Sequence, residues 1–310
     1  MLPALVRAER PGLDLAAWIT AHTGTLDQLA HEAGAVLLRG FAVSGPVEFR
    51  AAMDALSPRV LDYGERSSPR TEVSSGVYTS TEYPADQHIL LHNEQSYTDN
   101  WPVRIVFCCE RPATTGGRTP LADSRRILAG LDPATVERFE RLGVRYVRNY
   151  LTGISLPWQE VFQTEDRAEV NAYCERADIV AEWVDADHLR THQVRPAIHV
   201  HPVTGDRTWF NHAVFFHVTS LPEEVSAGLM ELLSEEDFPY QTYYGDGSPI
   251  EPATLAEIRA VQAAETVAFD WQAGDVLVVE NMITAHAREP FEGPRRILAA
   301  MSDPIRDLRR

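Results

Sequence analysis

One β core wrapped in helices is the fold class the 310 residues predict, mainly β with helical decoration, an α+β chain. Three observations carry it. Strand-like runs stand at both ends of a long mixed middle. No repeat, low-complexity tract or linker divides the chain. The length is more than one ordinary domain and less than two, which suits one enlarged β unit. A hydrophobic content of 44% is ordinary for such a core.

The elements follow in order. Residues 13–23 and 25–33 read as two short helices split by Gly24, and Gly34 ends the second. Val36-Leu37-Leu38 is a short buried strand. Residues 46–56 read as a helix with Pro46 at its start. Residues 60–85 are polar and rich in Ser, Thr and Pro. They read as a loop entering Gln87 to His92, a lid or a substrate wall. Residues 103–109 form a strand, Thr115 to Thr119 a turn, and 124–131 and 133–142 two helices stopped by Gly143. Residues 144–150 alternate as a strand does. The stretch 158–190 is mixed, with a helix near 170–175 and a strand at 180–183. A hairpin runs 195–200 and 208–211 about Thr204-Gly205-Asp206. Helices at 222–234 and 252–264 flank Gly245-Asp246-Gly247. Strands at 275–280 and 296–301 close the chain. The whole of 1–310 is thus expected as one domain. N-terminal helices take up residues 1 to about 60, and a helical and loop insertion runs from about 124 to 265.

Composition excludes several functions. A net charge of −17 and a pI near 5.0 leave no basic footprint for nucleic acid or an anionic membrane. A small anionic substrate fits only where arginines concentrate. The chain has no lysine, which removes Schiff-base chemistry and a phosphate-binding P-loop. Cys108, Cys109 and Cys174 lack metal-ligand spacing and imply a reducing compartment. No signal peptide and no apolar run of membrane length is evident. The expected location is the cytoplasm, and assembly with further copies stays open.

His92-Asn93-Glu94 is the most informative stretch. On a strand, residues two apart share a face, so His92 and Glu94 could bind one ion. Alone the pair is weak, and ordinary strand residues would look the same. Downstream, Gly274-Asp275, the apolar run to Glu280, Asn281, His286 and the pair Arg295-Arg296 form an ordered syntax. Two histidines and a carboxylate hold Fe(II) on one face and leave the other open. A 2-oxo dicarboxylic acid needs that metal for its keto-acid end and a guanidinium for its distal carboxylate. His199 and His201 form another same-face pair, either cupin-like ligands or core histidines. His212 and His217 read as structural. Asn211 faces substrate or satisfies a turn. Asn93 and Ser96 border the metal pair, with Asn93 opposite His92 by alternation. Arg118 and Arg288 read as anion contacts or surface ion pairs.

Taken in order, these pieces resemble the TauD/TfdA family of Fe(II)/2-oxoglutarate-dependent dioxygenases, and within it the SyrP-like branch. The resemblance runs from Leu37 to about Met301. It also includes Gly116-Gly117-Arg118-Thr119, Asp123-Ser124-Arg125, and His201-Pro202 through Trp209-Phe210-Asn211. It implies a double-stranded β-helix (jelly-roll) core, with His92, Glu94 and His286 as iron ligands. It implies Thr119 as a hydrogen-bond partner of 2-oxoglutarate and Arg295 or Arg296 as its anchor. Alternation favours Arg296, which shares a face with Leu298 and Ala300; Ala300 stands where some relatives carry a further arginine. Asn93, Ser96, Asn211 and Arg288 are the substrate-side candidates. Glu94 keeps a carboxylate where related halogenases leave room for chloride, which favours oxygen insertion. The implied reaction consumes O2 and releases succinate and CO2. It hydroxylates an amino acid or amino-acid-derived small molecule, free or tethered to a carrier protein, in specialised metabolism. Desaturation or cyclisation would use the same oxidant. The other classes are a cupin-like Zn²⁺ hydrolase or isomerase and a non-catalytic jelly-roll binding module.

Overall fold

The computed structural model describes residues 1–57, 72–74, 76–79 and 83–306. Most of the polar stretch expected as a lid lies outside them. Helix Leu15–Ala33 starts where Asp14 accepts the Ala17 N–H at 2.7 Å. It is two helical segments joined across a kink, as expected, with the break at His22 rather than at Gly24. His22 and Thr23 both bond back to carbonyls four residues earlier, which competes with the helical ladder there. Gly34 closes the helix in the left-handed region, φ 82. A Cβ on Gly34 would also stand 2.2 Å from Thr284 Oγ1, so glycine is required on two counts.

Seven strands make the main sheet, in the order Ala4–Arg7, Ala35–Arg39, Val276–Glu280, Asn100–Arg111, Arg296–Arg306, Val77–Thr79 and Glu72–Ser74. Alternation divides its two faces. Val36, Leu38, Val106, Cys108, Val276, Val278, Leu298 and Ala300 pack under helices Leu15–Ala33 and Pro46–Leu56. Leu37, Ile105, Phe107, Cys109, Leu277, Val279, Ile297, Ala299 and Met301 point the other way, toward Leu121 and Trp271. On that inner side lies a three-stranded sheet with Thr284–Arg288 between Ile89–His92 and Leu121–Asp123. The two facing sheets form the jelly-roll core. Arg39 ties its N-terminal part to the Gly274 turn, with Nε and Nη2 on the two Asp275 carboxylate oxygens at 2.8 and 2.6 Å.

The segment expected as a helical and loop insertion also holds a four-stranded antiparallel sheet. Its order is Val180–Trp183, Leu189–Arg195, Val144–Tyr150, Tyr240–Tyr244. Two of those strands were missed because their buried positions are polar: Thr191 and Gln193 in one, Gln241 and Thr242 in the other. Period-2 hydrophobicity is therefore absent, although burial alternates along Leu189–Arg195. The hairpin is present as Ile198–Val200 paired with Arg207–Trp209.

Candidate metal centre

His92 ends its strand, and His286 is its direct partner across the antiparallel ladder. Their rings stand 4.3 Å apart by centroid. Glu94 joins them, and one ligand atom from each of the three lies within 4.8 Å of the others. Glu94 and His286 are buried and His92 is half-buried. Alternation does not bring Glu94 there, because the strand ends at His92 and Glu94 lies in the following turn. The His92 Nδ1 sits 2.8 Å from Leu90 O. A carbonyl only accepts, so Nδ1 carries the proton and Nε2 keeps its lone pair for a metal. Phe107 lies 5.2 Å from the His286 ring and Phe215 4.7 Å from the His92 ring, an apolar wall beside the two imidazoles.

A second cluster has the same composition. His31, His201 and Glu280 also bring ligand atoms within 4.8 Å, but the chemistry differs. His201 Nδ1 accepts the N–H groups of Val203 and Thr204 at 3.3 and 3.1 Å. Its proton therefore sits on Nε2, which donates to Glu280 Oε1 at 3.3 Å. A metal there would need an imidazolate and would also meet the Arg104 guanidinium, which is 3.1 Å from Glu280 Oε2. This cluster is a buried ion-pair network. His199 turns elsewhere, against Trp101 and Phe210, so the His199–His201 pair does not share an ion.

The two candidate anchors part company. Alternation groups Arg296 with Leu298 and Ala300, but the face those two residues occupy is the helix-covered one. The Arg296 side chain is 53% exposed and pairs with Glu110 at 2.7 Å. A register shift between Arg296 and Ile297 separates it further from the inner face. Arg295 points inward. Its Nε donates to Gly117 O at 3.1 Å. Burial, then the nearby Arg288 charge, bring its guanidinium down to about 10. Arg288 is buried two residues beyond His286, and its guanidinium holds the carbonyls of Tyr83, Pro84 and Gln87. Among the described residues, neither Arg288 nor Arg295 forms a salt bridge. Thr119 is buried, and its Oγ1 accepts the Trp271 indole N–H at 3.1 Å. Its own hydroxyl proton is left to point at an acceptor. Arg118 is a surface ion pair with Glu289.

On the substrate side the geometry redistributes the candidates. Asn93 donates to Asn281 O and Ser124 Oγ at 2.7 and 3.2 Å. Asn211 donates to Ala197 O and accepts from Ala213 N, at 2.8 and 2.9 Å. Both amides serve the frame, which answers the turn reading of Asn211. Ser96 Oγ lies 2.6 Å from His212 Nδ1. His212 is buried beside His92, and desolvation, reinforced by that histidine, holds it neutral far below its ordinary range. The structural reading of His212 had no sequence signal that would place it at the site. Arg148 is buried among the rings of Tyr97, Tyr150 and Tyr240. It too escaped the sequence, because it sits in an alternating strand as an ordinary polar position.

The family model for "Taurine catabolism dioxygenase TauD, TfdA family" matches residues 2–301. The chain is 39% identical over 280 residues to the dapdiamide synthesis protein DdaC of Enterobacter agglomerans, covering 90% of this chain and 85% of that protein. It is 30% identical over 286 residues to a clavaminate synthase-like protein of Arabidopsis thaliana, covering 89% and 83%. Among solved structures it is similar in fold to PvcB of Pseudomonas aeruginosa, with a TM-score of 0.57, 17% identity, and 96% and 84% of the two chains covered. Family match and relatives together span nearly the whole chain, and it belongs to the TauD/TfdA family as an Fe(II)/2-oxoglutarate-dependent dioxygenase.

Proposed function

We propose that the chain hydroxylates an unactivated C–H bond of an amino-acid-derived small molecule, with iron held by His92, Glu94 and His286. The observation that carries this reading is the ligand set itself: two histidines and a carboxylate within 4.8 Å, with the His92 tautomer fixed for ligation by Leu90 O. Iron and 2-oxoglutarate supply the oxidation, in which R–H, 2-oxoglutarate and O2 give R–OH, succinate and CO2. The protein's part is positional. Arg295 offers its guanidinium to the distal carboxylate, with Arg288 adding positive field and Thr119 a hydroxyl donor. Phe107 and Phe215 exclude water beside the ligands. One buried and one half-buried guanidinium, neither in a salt bridge among the described residues, suit a dicarboxylate better than they suit a Zn²⁺ hydrolase.

The substrate class rests on the relatives' names. DdaC is a dapdiamide synthesis protein, the plant relative is clavaminate synthase-like, and PvcB is described as an Fe, alpha-ketoglutarate dependent oxygenase from an isonitrile synthetic pathway. The names of DdaC and PvcB both refer to a synthesis, which supports a place in specialised biosynthesis. The test is anaerobic titration with Fe(II) and 2-oxoglutarate, followed by aerobic succinate release over a panel of free and carrier-tethered amino-acid derivatives. A visible charge-transfer band lost in His286→Ala, and succinate formed with one substrate as that substrate gains an oxygen atom, are the expected results. A product lacking two hydrogens would replace hydroxylation with desaturation or cyclisation. No band and unchanged turnover in His286→Ala would sink the oxygenase reading.

A further inference from the structure

Glu94 lies beyond the ladder that fixes His92, yet its backbone is held at both ends by one side chain. Asn281 Oδ1 accepts the Glu94 N–H at 2.7 Å. Asn281 Nδ2 donates to Glu94 O and to Pro102 O, each at 2.9 Å. The amide thus gives a single residue the two bonds a neighbouring strand would give. Asn281 is itself fixed. It is fully buried, its N–H donates to Val103 O at 2.9 Å, and its carbonyl accepts Asn93 Nδ2 at 2.7 Å. The next residue after Glu94, Gln95, takes a left-handed φ of 55. A non-glycine residue holds that conformation only where its surroundings determine it.

We propose that Asn281 is the positioning residue for the carboxylate ligand: it sets where Glu94 stands relative to His92 and His286 without touching the metal. The proposal rests on Glu94 being a ligand. Its chemistry is specific to asparagine. An aspartate of the same shape offers a second acceptor where Nδ2 donates, and would set lone pairs against Glu94 O and Pro102 O. Alanine leaves the Glu94 N–H and both carbonyls without those partners. Outer-shell groups that orient a ligand typically change metal affinity by about 10–100-fold, and Asn281 holds the ligand residue's own backbone.

The test uses the full-length protein loaded anaerobically with Fe(II), and in parallel with Mn(II) as a paramagnetic probe. Asn281→Ala, Asn281→Asp, Glu94→Ala and Phe49→Leu are compared with the parent chain. Phe49 is fully buried under the outer face of the main sheet, so Phe49→Leu supplies a stability loss remote from the site. Both Asn281 variants are expected to bind Fe(II) at least tenfold more weakly and to change the Mn(II) resonance, while Phe49→Leu lowers Tm and leaves both unchanged. Asn281 variants that keep parental affinity and resonance overturn the proposal, provided Glu94→Ala loses binding. If Glu94→Ala binds normally, the ligand reading itself fails. If neither Asn281 variant folds, the residue is a folding determinant and the positioning role is rejected.

Discussion

Arg288 stands close enough to Arg295 for one positive charge to depress the other. Burial and that like charge together bring Arg295 to about 10. A half-buried cation in that setting gains most from an anion arriving between the two. Arg295→Ala is expected to remove a charge-assisted bond of about 1.5–3 kcal/mol. That raises the KM for 2-oxoglutarate on the order of ten- to a hundredfold. Arg296→Ala breaks only an exposed pair with Glu110 and should leave that KM unchanged. Steady-state succinate formation in the two variants decides it, and equal losses would remove Arg295 from the anchor role.

The two His/His/Glu clusters differ in tautomer, and metal counting can tell them apart. One Fe(II) per chain is expected. His92→Ala should bring the count to zero. His201→Ala should keep it at one while lowering Tm, because Glu280 and the two backbone N–H groups lose their partner. Elemental analysis after desalting checks both, and two metals per parental chain would refute the tautomer assignment.

Gly116 links Thr119 and Arg295, the proposed co-substrate contacts, to the fold. The short ladder Thr115–Gly116 with Phe291–Glu292 lies between Thr119 on one side and Arg295 on the other. At φ 66, a Cβ on Gly116 would stand 2.3 Å from the Pro290 carbonyl oxygen, and backbone cannot yield as a side chain tip can. Gly116→Ala should destabilise the chain by about 1–3 kcal/mol and raise the KM for 2-oxoglutarate, with Fe(II) affinity retained. Loss of iron binding in this variant would show that the ladder serves the metal as well.

Stability should fall as the medium turns acidic, partly through His217. Burial, then Arg259, bring its pKa from 6.5 to about 4. Between those values the unfolded chain binds more protons than the folded one, so the native state loses ground as pH drops. The stabilisation is complete above 6.5 and lost on the way down to about 4. His217→Gln should flatten the dependence of Tm on pH inside that window and leave it unaltered above. Parallel curves for parent and variant would show that His217 contributes nothing to acid sensitivity.

Much of this was legible in the chain, though not always for the reasons alternation supplies. The ordered syntax picked out the residues that converge, but Glu94 reaches His92 through a turn and the Asn281 amide, and no periodicity rule contains a side chain that imitates a strand. Alternation grouped Arg296 with Leu298 and Ala300, yet could not say which way that face turns, because both faces of that strand are apolar. The strands Leu189–Arg195 and Tyr240–Tyr244 stayed hidden because buried Thr and Gln stand where valine would have signalled a strand. His212 and Arg148 are tertiary facts, set by which elements pack on the metal strand.

His92 and His286 are ladder partners, so the backbone that sets their spacing is closed by hydrogen bonds independent of any ion. Chelators and oxidative turnover can strip an enzyme of iron, but here they would remove ligand bonds without unzipping a strand pair. If this pair holds iron, removing the metal would leave the two imidazoles facing one another across an intact ladder, so reduced iron alone would suffice to reload the site.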